Sequence, residues 1–180
     1  WASFLAGGKP LSLVLPTPVA LLWENRQIVV RDIRLRDFSV WSQHPDLRQL
    51  AQSWGEPKLS QAYTVARDTF AAIRLVQYME RRGIEVSVVG TPNVSLDGPD
   101  ANLVYLGIPG TTRHLEEQMS RINFYISIGF ADRVVNRRPK PREAAEFREQ
   151  AQSERRLVQP GVLALLPGPH KATKLMVLAG

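Results

Sequence analysis

A glycine-containing loop between an apolar run and a helical pattern carries the residues best suited to chemistry. The segment NLVYLGIPGTTRHLEEQM predicts a strand, a tight loop and a helix N-terminus over 102–119. Its glycines permit positive φ, its threonines can cap the helix, and the free N–H groups at the helix start attract anions. The ligand-binding residues predicted in this loop are Gly107, Pro109, Gly110, Thr111, Thr112 and Arg113. A sharp turn before a capped helix would need the same residue types without any ligand, so both interpretations stay open.

Two neighbouring segments are expected to face this loop. Ligands of open parallel α/β sheets bind beyond the carboxyl ends of the strands. The turn GTPN over 90–93 follows another apolar run, so Thr91 and Asn93 are predicted to face the ligand loop. Asp68 is predicted to order the start of a neighbouring helix.

Several familiar chemistries are disfavoured by what the sequence lacks. The loop matches neither GxxxxGK[ST] nor GxGxxG, which disfavours the usual nucleotide-binding modes. The chain has no cysteine, so disulfides, cysteine zinc sites and a thiol nucleophile are excluded, and GxSxG is missing. His44, His114 and His170 lie far apart, which disfavours a histidine-rich metal site. The sequence therefore predicts no catalytic residue, no metal and no cofactor, although Asp68 or His114 could serve as an acid/base group.

The elements that position these residues follow βαβ order. Leu11–Leu15 is predicted as a buried strand that ends at Pro16 and Pro18, because proline cannot continue a central ladder. A helix is predicted over 63–83, followed by strands over 84–90 and 101–109. The core-facing stripe predicted on that helix is Val65, Ala66, Phe70, Ile73 and Val76, and its arginines at 67, 74 and 81 are interpreted as a solvated row. Alternatively, Asp68 is the N-cap of a helix that starts later.

The C-terminal part predicts short strands over 124–129, 133–137, 161–168 and 174–180, the last two able to form a hairpin. The predicted fold is α/β: a flavodoxin-like or periplasmic-binding-like three-layer domain. Its sheet is expected to be mainly parallel, with an antiparallel C-terminal part.

One α/β domain is predicted over 1–180, and the absence of an initial Met together with the strand-like end is interpreted as a piece of a longer chain. Within it, 36–62 is predicted as a long loop or insertion after a strand candidate at 27–35. Residues 137–156 are predicted as a charged insertion, helical or disordered. The four tryptophans of the N-terminal third are interpreted as packing residues rather than an aromatic cage.

The net charge of +6 favours anionic partners. A contact with an anionic surface is predicted through Arg137, Arg138, Lys140 and Arg142. No specific nucleic-acid motif is present, and no run of about 18 or more apolar residues predicts a membrane span. A homo-oligomer or attached domains remain open as partners.

The order of short motifs resembles a loosely defined group of uncharacterised bacterial α/β sensor-like domains attached to membrane segments, winged-helix modules or tetratricopeptide repeats. The motifs are Trp1-x-x-Phe4-Leu5, Pro10, Pro16 and Pro18, Asp68-x-x-Ala71, Gly83, Gly107-x-Pro109, Phe124, Asn136–Pro139 and Leu178-Ala179-Gly180. The group commonly has asparagine after its Gly-x-Pro step, where this chain has Gly110, Thr111 and Thr112.

The resemblance implies a regulatory or sensory ligand-binding domain, in a cytoplasmic or membrane-tethered bacterial protein. The leading expectation is therefore a non-catalytic domain that binds a small anionic ligand and relays its state to an attached module. An enzyme acting on a nucleotide or sugar phosphate is the first alternative, and a protein-interaction or self-assembly module is the second.

Overall fold

The computed structural model describes residues 2–5, 8–32, 35, 37–60, 66–90, 100–107, 120–127, 133–153, 156–158, 160–168 and 173–179. Within the predicted 1–180 domain the chain divides into two compact units. Unit 1 comprises Trp1–Pro16 and Ala66–Gly180, and unit 2 comprises Thr17–Val65. Unit 2 is thus an insertion in the chain of unit 1.

The described helices and strands follow one another as numbered here. The helices are α1 (Ala2–Leu5), α2 (Pro45–Trp54) and α3 (Ala66–Glu80), with 3-10 helices at Glu24–Arg26 and Phe38–Gln43. The strands are β1 (Leu11–Leu15), β2 (Leu21–Trp23), β3 (Ile28–Val30), β4 (Lys58–Leu59), β5 (Val86–Gly90), β6 (Asn102–Leu106), β7 (Phe124–Ser127), β8 (Arg133–Asn136), β9 (Glu146–Arg148), β10 (Gln150–Ser153), β11 (Arg156–Val158), β12 (Val162–Pro167) and β13 (Lys174–Ala179). None of the helices in this described part is long and apolar enough to cross a membrane.

The central sheet of unit 1 has the strand order β12-β13-β6-β1-β5. β1 is parallel to both β5 and β6, and β13 is parallel to β6. β12 and β13 are antiparallel and form the predicted hairpin, with Val162 opposite Ala179 and Pro167 opposite Lys174. The predicted α/β fold, with a mainly parallel sheet and an antiparallel C-terminal part, is confirmed at this level.

The central strands β1, β6 and β13 are buried on both faces, which explains their nearly continuous apolar runs, whereas the edge strands β5 and β12 expose Val88, Leu163 and Leu165. One face packs against the helices, because Leu13 and Val104 share a cluster with Phe4 of α1 and Met79 of α3. The opposite face packs against β8, and its members are Val14, Leu103, Tyr105, Val134, Val162, Ala164, Leu175 and Val177. Unit 1 is therefore layered as helices, central sheet and a second, smaller sheet.

Helix α3 ends at Glu80, before the predicted end at 83, and its predicted core stripe is wrong in part. Phe70 is 67% exposed and Ile73 48% exposed, whereas Ala72 and Met79 are buried. The helix carries apolar residues on two faces, so the sequence spacing alone could not decide which face meets the sheet. Val65 lies outside the described residues, exposed Ala66 is the first helical residue, and of the predicted stripe only Val76 packs against the core. The N-cap alternative for Asp68 is also wrong, because Asp68 lies inside the first turn.

The charged segment predicted as helical or disordered instead contains strands. β7, β8 and β9 form an antiparallel sheet in that order, and β10 pairs with β11. Glu146 on β9 bonds the guanidinium groups of Arg133 and Arg148, and these contacts hold the pKa of Glu146 below its usual range, the Arg148 hydrogen bond first. The Arg133–Glu146 ion pair crosses from β8 to β9 and adds to the backbone pairing of these two strands.

Unit 2 is built around Trp23 and contains the antiparallel strand order β3-β2-β4. The Trp23 indole donates to the Gly55 carbonyl oxygen at 2.7 Å, and the Trp54 ring meets it edge-on at 5.6 Å. The interpretation of these tryptophans as packing residues is confirmed for this pair. The predicted long loop over 36–62 contains α2, which starts with Pro45 and stops before Gly55, the usual proline–glycine asymmetry of helix ends.

Candidate functional site

The carboxyl ends of β1 and β6 meet at the point where the strand order of unit 1 reverses. From β1 the chain passes through α3 to β5 on one side, and β6 lies on the other side of β1. Val14 is paired with Tyr105, so the residues after these two strands, Pro16 and Gly107, come side by side. In open α/β sheets ligands bind in the crevice at such a reversal of strand order.

Gly107 is the backbone residue at the centre of this arrangement. It has a φ of +91°, and a Cβ atom there would lie 2.6 Å from Cγ of Pro16 and 2.8 Å from Oδ2 of Asp68. Its N–H donates to the Leu178 carbonyl oxygen at 2.9 Å, which ties it to β13. Only glycine meets both requirements, since a side chain would be strained in φ and would also collide with two neighbours.

Asp68 brings a carboxylate to the same point from the first turn of α3. Asp68 is only 9% exposed. The positive end of the helix dipole favours an acidic side chain there, which accounts for a buried acid on the core face of α3. Asp68 also takes part in a further polar interaction, so it is not a free carboxylate.

Tyr105 is a site neighbour that sequence reasoning missed. It lies two residues before Gly107 and is 2% exposed, and among the residues that the structure describes its hydroxyl has no hydrogen-bond partner. Burial raises the pKa of the Tyr105 hydroxyl to about 12, because the low-polarity surroundings disfavour the phenolate. In the sequence this tyrosine looks like any core aromatic of an apolar strand; only its unpaired hydroxyl distinguishes it.

The structure brings two of the predicted site residues together, Gly107 and Asp68. The other predicted site residues are outside the described part of the chain: Thr91, Asn93, Pro109, Gly110, Thr111, Thr112 and Arg113. His114 and His170 fall there as well, whereas His44 precedes α2 in unit 2. Within the described residues no group of three or more His, Asp or Glu side chains is arranged to hold a metal ion.

The predicted basic contact surface is an ordered turn between β8 and β9. The Asn136 side chain accepts from the Asn123 amide at 2.5 Å and donates to Oε2 of Glu143 at 3.3 Å, so it braces both ends of the turn. The Arg137 guanidinium donates to the Ser120 carbonyl oxygen at 2.9 Å. The cationic residues of this turn are exposed: Arg137, Arg138, Lys140 and Arg142. We call these four residues the basic turn.

No protein-family model matches this chain, and neither a curated protein nor a solved structure matches it. The resemblance to bacterial sensor-like domains stays a prediction from motifs.

Proposed function

We propose that unit 1 is a non-catalytic regulatory or sensory domain that binds a small anionic ligand beyond the carboxyl ends of β1 and β6. The observation that carries the proposal is the convergence of Pro16, Gly107 and Asp68 at the reversal of strand order. A backbone that only glycine can adopt, packed against a buried carboxylate, is more than a strand-to-helix turn requires. Such constraints cluster at binding sites.

A flavodoxin-like fold is the finer assignment that we propose. Numbered along the chain, the parallel strands β5, β1, β6 and β13 stand in the spatial order 2-1-3-4. This matches the beginning of the flavodoxin-like order 2-1-3-4-5. The antiparallel β12 and the β7–β9 sheet depart from that fold, and the periplasmic-binding-like alternative stays open.

The charges around the site divide the proposed ligand into two ends. Asp68 is acidic and would repel an anionic group placed directly beside it. The anionic end is therefore assigned to the predicted helix start at Thr111, Thr112 and Arg113. A hydroxyl-bearing or neutral polar end fits beside the Asp68 carboxylate, which lies against Gly107.

The proposed relay uses the two points at which the chain connects unit 1 with unit 2. The chain leaves unit 1 after Pro16 and returns at Ala66, the first residue of α3. A ligand that orders the Gly107 loop would act on Pro16 and Asp68, which both touch Gly107. Ligand binding at Gly107 would therefore act directly on the two chain segments that connect unit 1 with unit 2.

The test is thermal denaturation of the whole chain with inorganic phosphate, nucleotides and sugar phosphates. A compound at about 100 times its Kd should raise the melting temperature by roughly 5–10 °C for a chain of this size. Thr112→Ala and Arg113→Ala should each abolish that rise and leave the melting temperature without ligand nearly unchanged. Arg138→Ala removes one cation from the basic turn instead and should retain the rise.

A lack of stabilisation by every compound, or wild-type stabilisation in both loop variants, would contradict the proposal. In the second case the 107–113 segment is only a turn.

An enzyme acting on a nucleotide or sugar phosphate is the second candidate, because a carboxylate does lie against Gly107. Asp68 would then be the acid/base group. Asp68→Asn separates the two functions: an enzyme would keep the thermal shift and lose turnover of the stabilising compound. The leading proposal expects no turnover in the wild-type protein.

A further inference from the structure

The outer face of α3 carries apolar and basic residues that the core does not use. Exposed residues recur at spacings of three, four and seven, which places them on one side of the helix, opposite Ala72 and Met79. They are Phe70, Ile73, Arg74, Gln77 and Arg81. We call these five residues the outer α3 face.

Phe70 and Ile73 form the apolar part of this face. Residues three apart are neighbours on a helix surface, so a phenyl ring and a branched aliphatic side chain stand together in solvent. They are 67% and 48% exposed, respectively. Adjacent large apolar groups of this kind mark surfaces that bind something.

The basic residues of the outer α3 face favour a negatively charged partner. Arg74 and Arg81 are exposed on the same side as Phe70, and Glu80 stands at the margin. Arg82 adds a third cation beyond the helix end, where its guanidinium lies 3.6 Å above the Tyr78 ring. A second copy of this face would bring like charges together, so charge complementarity favours an anionic partner over self-association.

We infer that the outer α3 face docks on the anionic surface of a lipid bilayer. Phenylalanine and isoleucine flanked by arginines are the composition of helices that lie in the interface of anionic membranes. The face is the convex side of one helix, which a planar surface can contact along its length, whereas a protein partner would have to supply a groove. Phe70 and Ile73 would enter the headgroup layer, and Arg74 and Arg81 would contact lipid phosphates.

The basic turn is the competing anionic-surface site, and it lies on the other side of the central sheet. α3 packs on the face that contains Leu13 and Val104, and β8 packs on the opposite face through Val134. One flat bilayer therefore cannot engage the outer α3 face and the basic turn of the same molecule together. A variant that loses two charges from the basic turn can therefore serve as the control for one that loses two charges from the outer α3 face.

The experiment is co-sedimentation of the whole chain with vesicles of mixed phosphatidylcholine and phosphatidylglycerol, and with vesicles of phosphatidylcholine alone. Binding is expected only to the anionic vesicles and should weaken as salt is added. Arg74→Gln with Arg81→Gln should lower partitioning about twentyfold, at roughly fivefold for each charge. Phe70→Ser with Ile73→Ser should lower it at least tenfold. Because all four side chains are exposed, circular dichroism and the melting temperature should match those of the wild type.

The control is Arg138→Gln with Lys140→Gln, which removes two charges from the basic turn and should partition within about threefold of the wild type. The inference is overturned if the wild type does not sediment with anionic vesicles, if it sediments equally with both kinds, or if binding follows the basic-turn variant instead. Binding of poly-glutamate through the outer α3 face, with no binding to vesicles, would also overturn it and would identify an acidic protein as the partner.

Discussion

Gly107 combines a left-handed backbone with close contacts to two side chains. Its φ of +91° and its contacts with Pro16 and Asp68 leave no room for a side chain. The need for a glycine after this strand follows from the sequence, because a strand-to-helix turn commonly requires positive φ. The close packing of Asp68 against this glycine does not, since it depends on where α3 lies over the sheet.

Gly107→Ala should destabilise unit 1 by about 2–5 kcal/mol. The alanine would be strained at a positive φ, and its Cβ would also overpack the space beside Pro16 and Asp68. Gly83→Ala is the control, because Gly83 has a φ of +70° with no atom within 4 Å of the added Cβ. It should cost about 1–2 kcal/mol, from strain alone. Urea unfolding of both variants measures the difference. Equal losses would mean that the Pro16–Asp68 packing around Gly107 is not tight.

The Tyr105 hydroxyl gives a second residue-scale prediction. Tyr105→Phe removes a buried group that has no partner, so it should raise stability by about 1 kcal/mol near neutral pH. The folded pKa of about 12 lies above the ordinary value of 10.0, so wild-type stability should fall as pH rises from the lower value towards the higher. At about pH 11 the raised pKa of Tyr105 should lower the free energy of unfolding by about 1.4 kcal/mol relative to neutral pH.

Urea unfolding at about pH 8 and about pH 11 measures this difference between wild type and Tyr105→Phe. Tyr78→Phe, at a more exposed ring, controls for the loss of a phenol. A destabilised Tyr105→Phe variant would mean that the hydroxyl has a partner in solution.

Among the elements, β6 carries a buried amide that bonds to two neighbouring segments. The Asn102 side chain donates to the Phe4 carbonyl oxygen at 3.0 Å and accepts from the Lys174 N–H at 2.9 Å. It therefore links α1, β6 and the start of β13. The residue is 2% exposed, so no solvent replaces these bonds if they are lost.

Asn102→Leu should destabilise the protein by about 2–5 kcal/mol, because two buried backbone groups lose their partner. Asn25→Leu removes an exposed amide that donates to the Trp54 carbonyl oxygen and should change stability by less than about 0.5 kcal/mol. Thermal or urea unfolding distinguishes the two variants. A mild effect at Asn102 would show that α1 contributes little to unit 1.

Sequence patterns predicted the elements best where burial is two-sided. β1, β6 and the β12–β13 hairpin are continuous apolar runs, and all were predicted near their observed bounds. The core face of α3 was not predicted, because Phe70 and Met79 are both apolar and only the packing against Val104 and Leu106 separates them. β9 was missed because it lies in a charged segment with few apolar residues, whose pairing with β8 has no periodic apolar signature.

At the scale of the whole molecule, the insertion of unit 2 begins and ends at neighbouring points of unit 1. Pro16 is the last residue before it, and Asp68 lies in the first turn after it. Both side chains touch the position of a Cβ on Gly107, so the two ends of the insertion lie close together. Insertions are tolerated where the host chain's ends are adjacent.

Replacement of 17–65 by a short Gly/Ser linker should therefore leave a folded unit 1. The expected result is a cooperative thermal transition with helical and strand signals in circular dichroism, since both clusters of the central sheet belong to unit 1. A variant without a cooperative transition would contradict the independence of unit 1. This two-unit organisation did not follow from the sequence, in which 36–62 has the turn residues of a loop.

The most direct test of the ligand site is an NMR titration that follows the Gly107 amide. Any phosphate-containing compound that raises the melting temperature is added to isotopically labelled protein. We expect the largest chemical-shift changes at Gly107 and at the residues around it. These are Asp68, Tyr105 two residues earlier in the chain, and Thr17, which directly follows Pro16. Shifts confined to the basic turn, with the Gly107 amide unmoved, would contradict a ligand site at the carboxyl ends of β1 and β6.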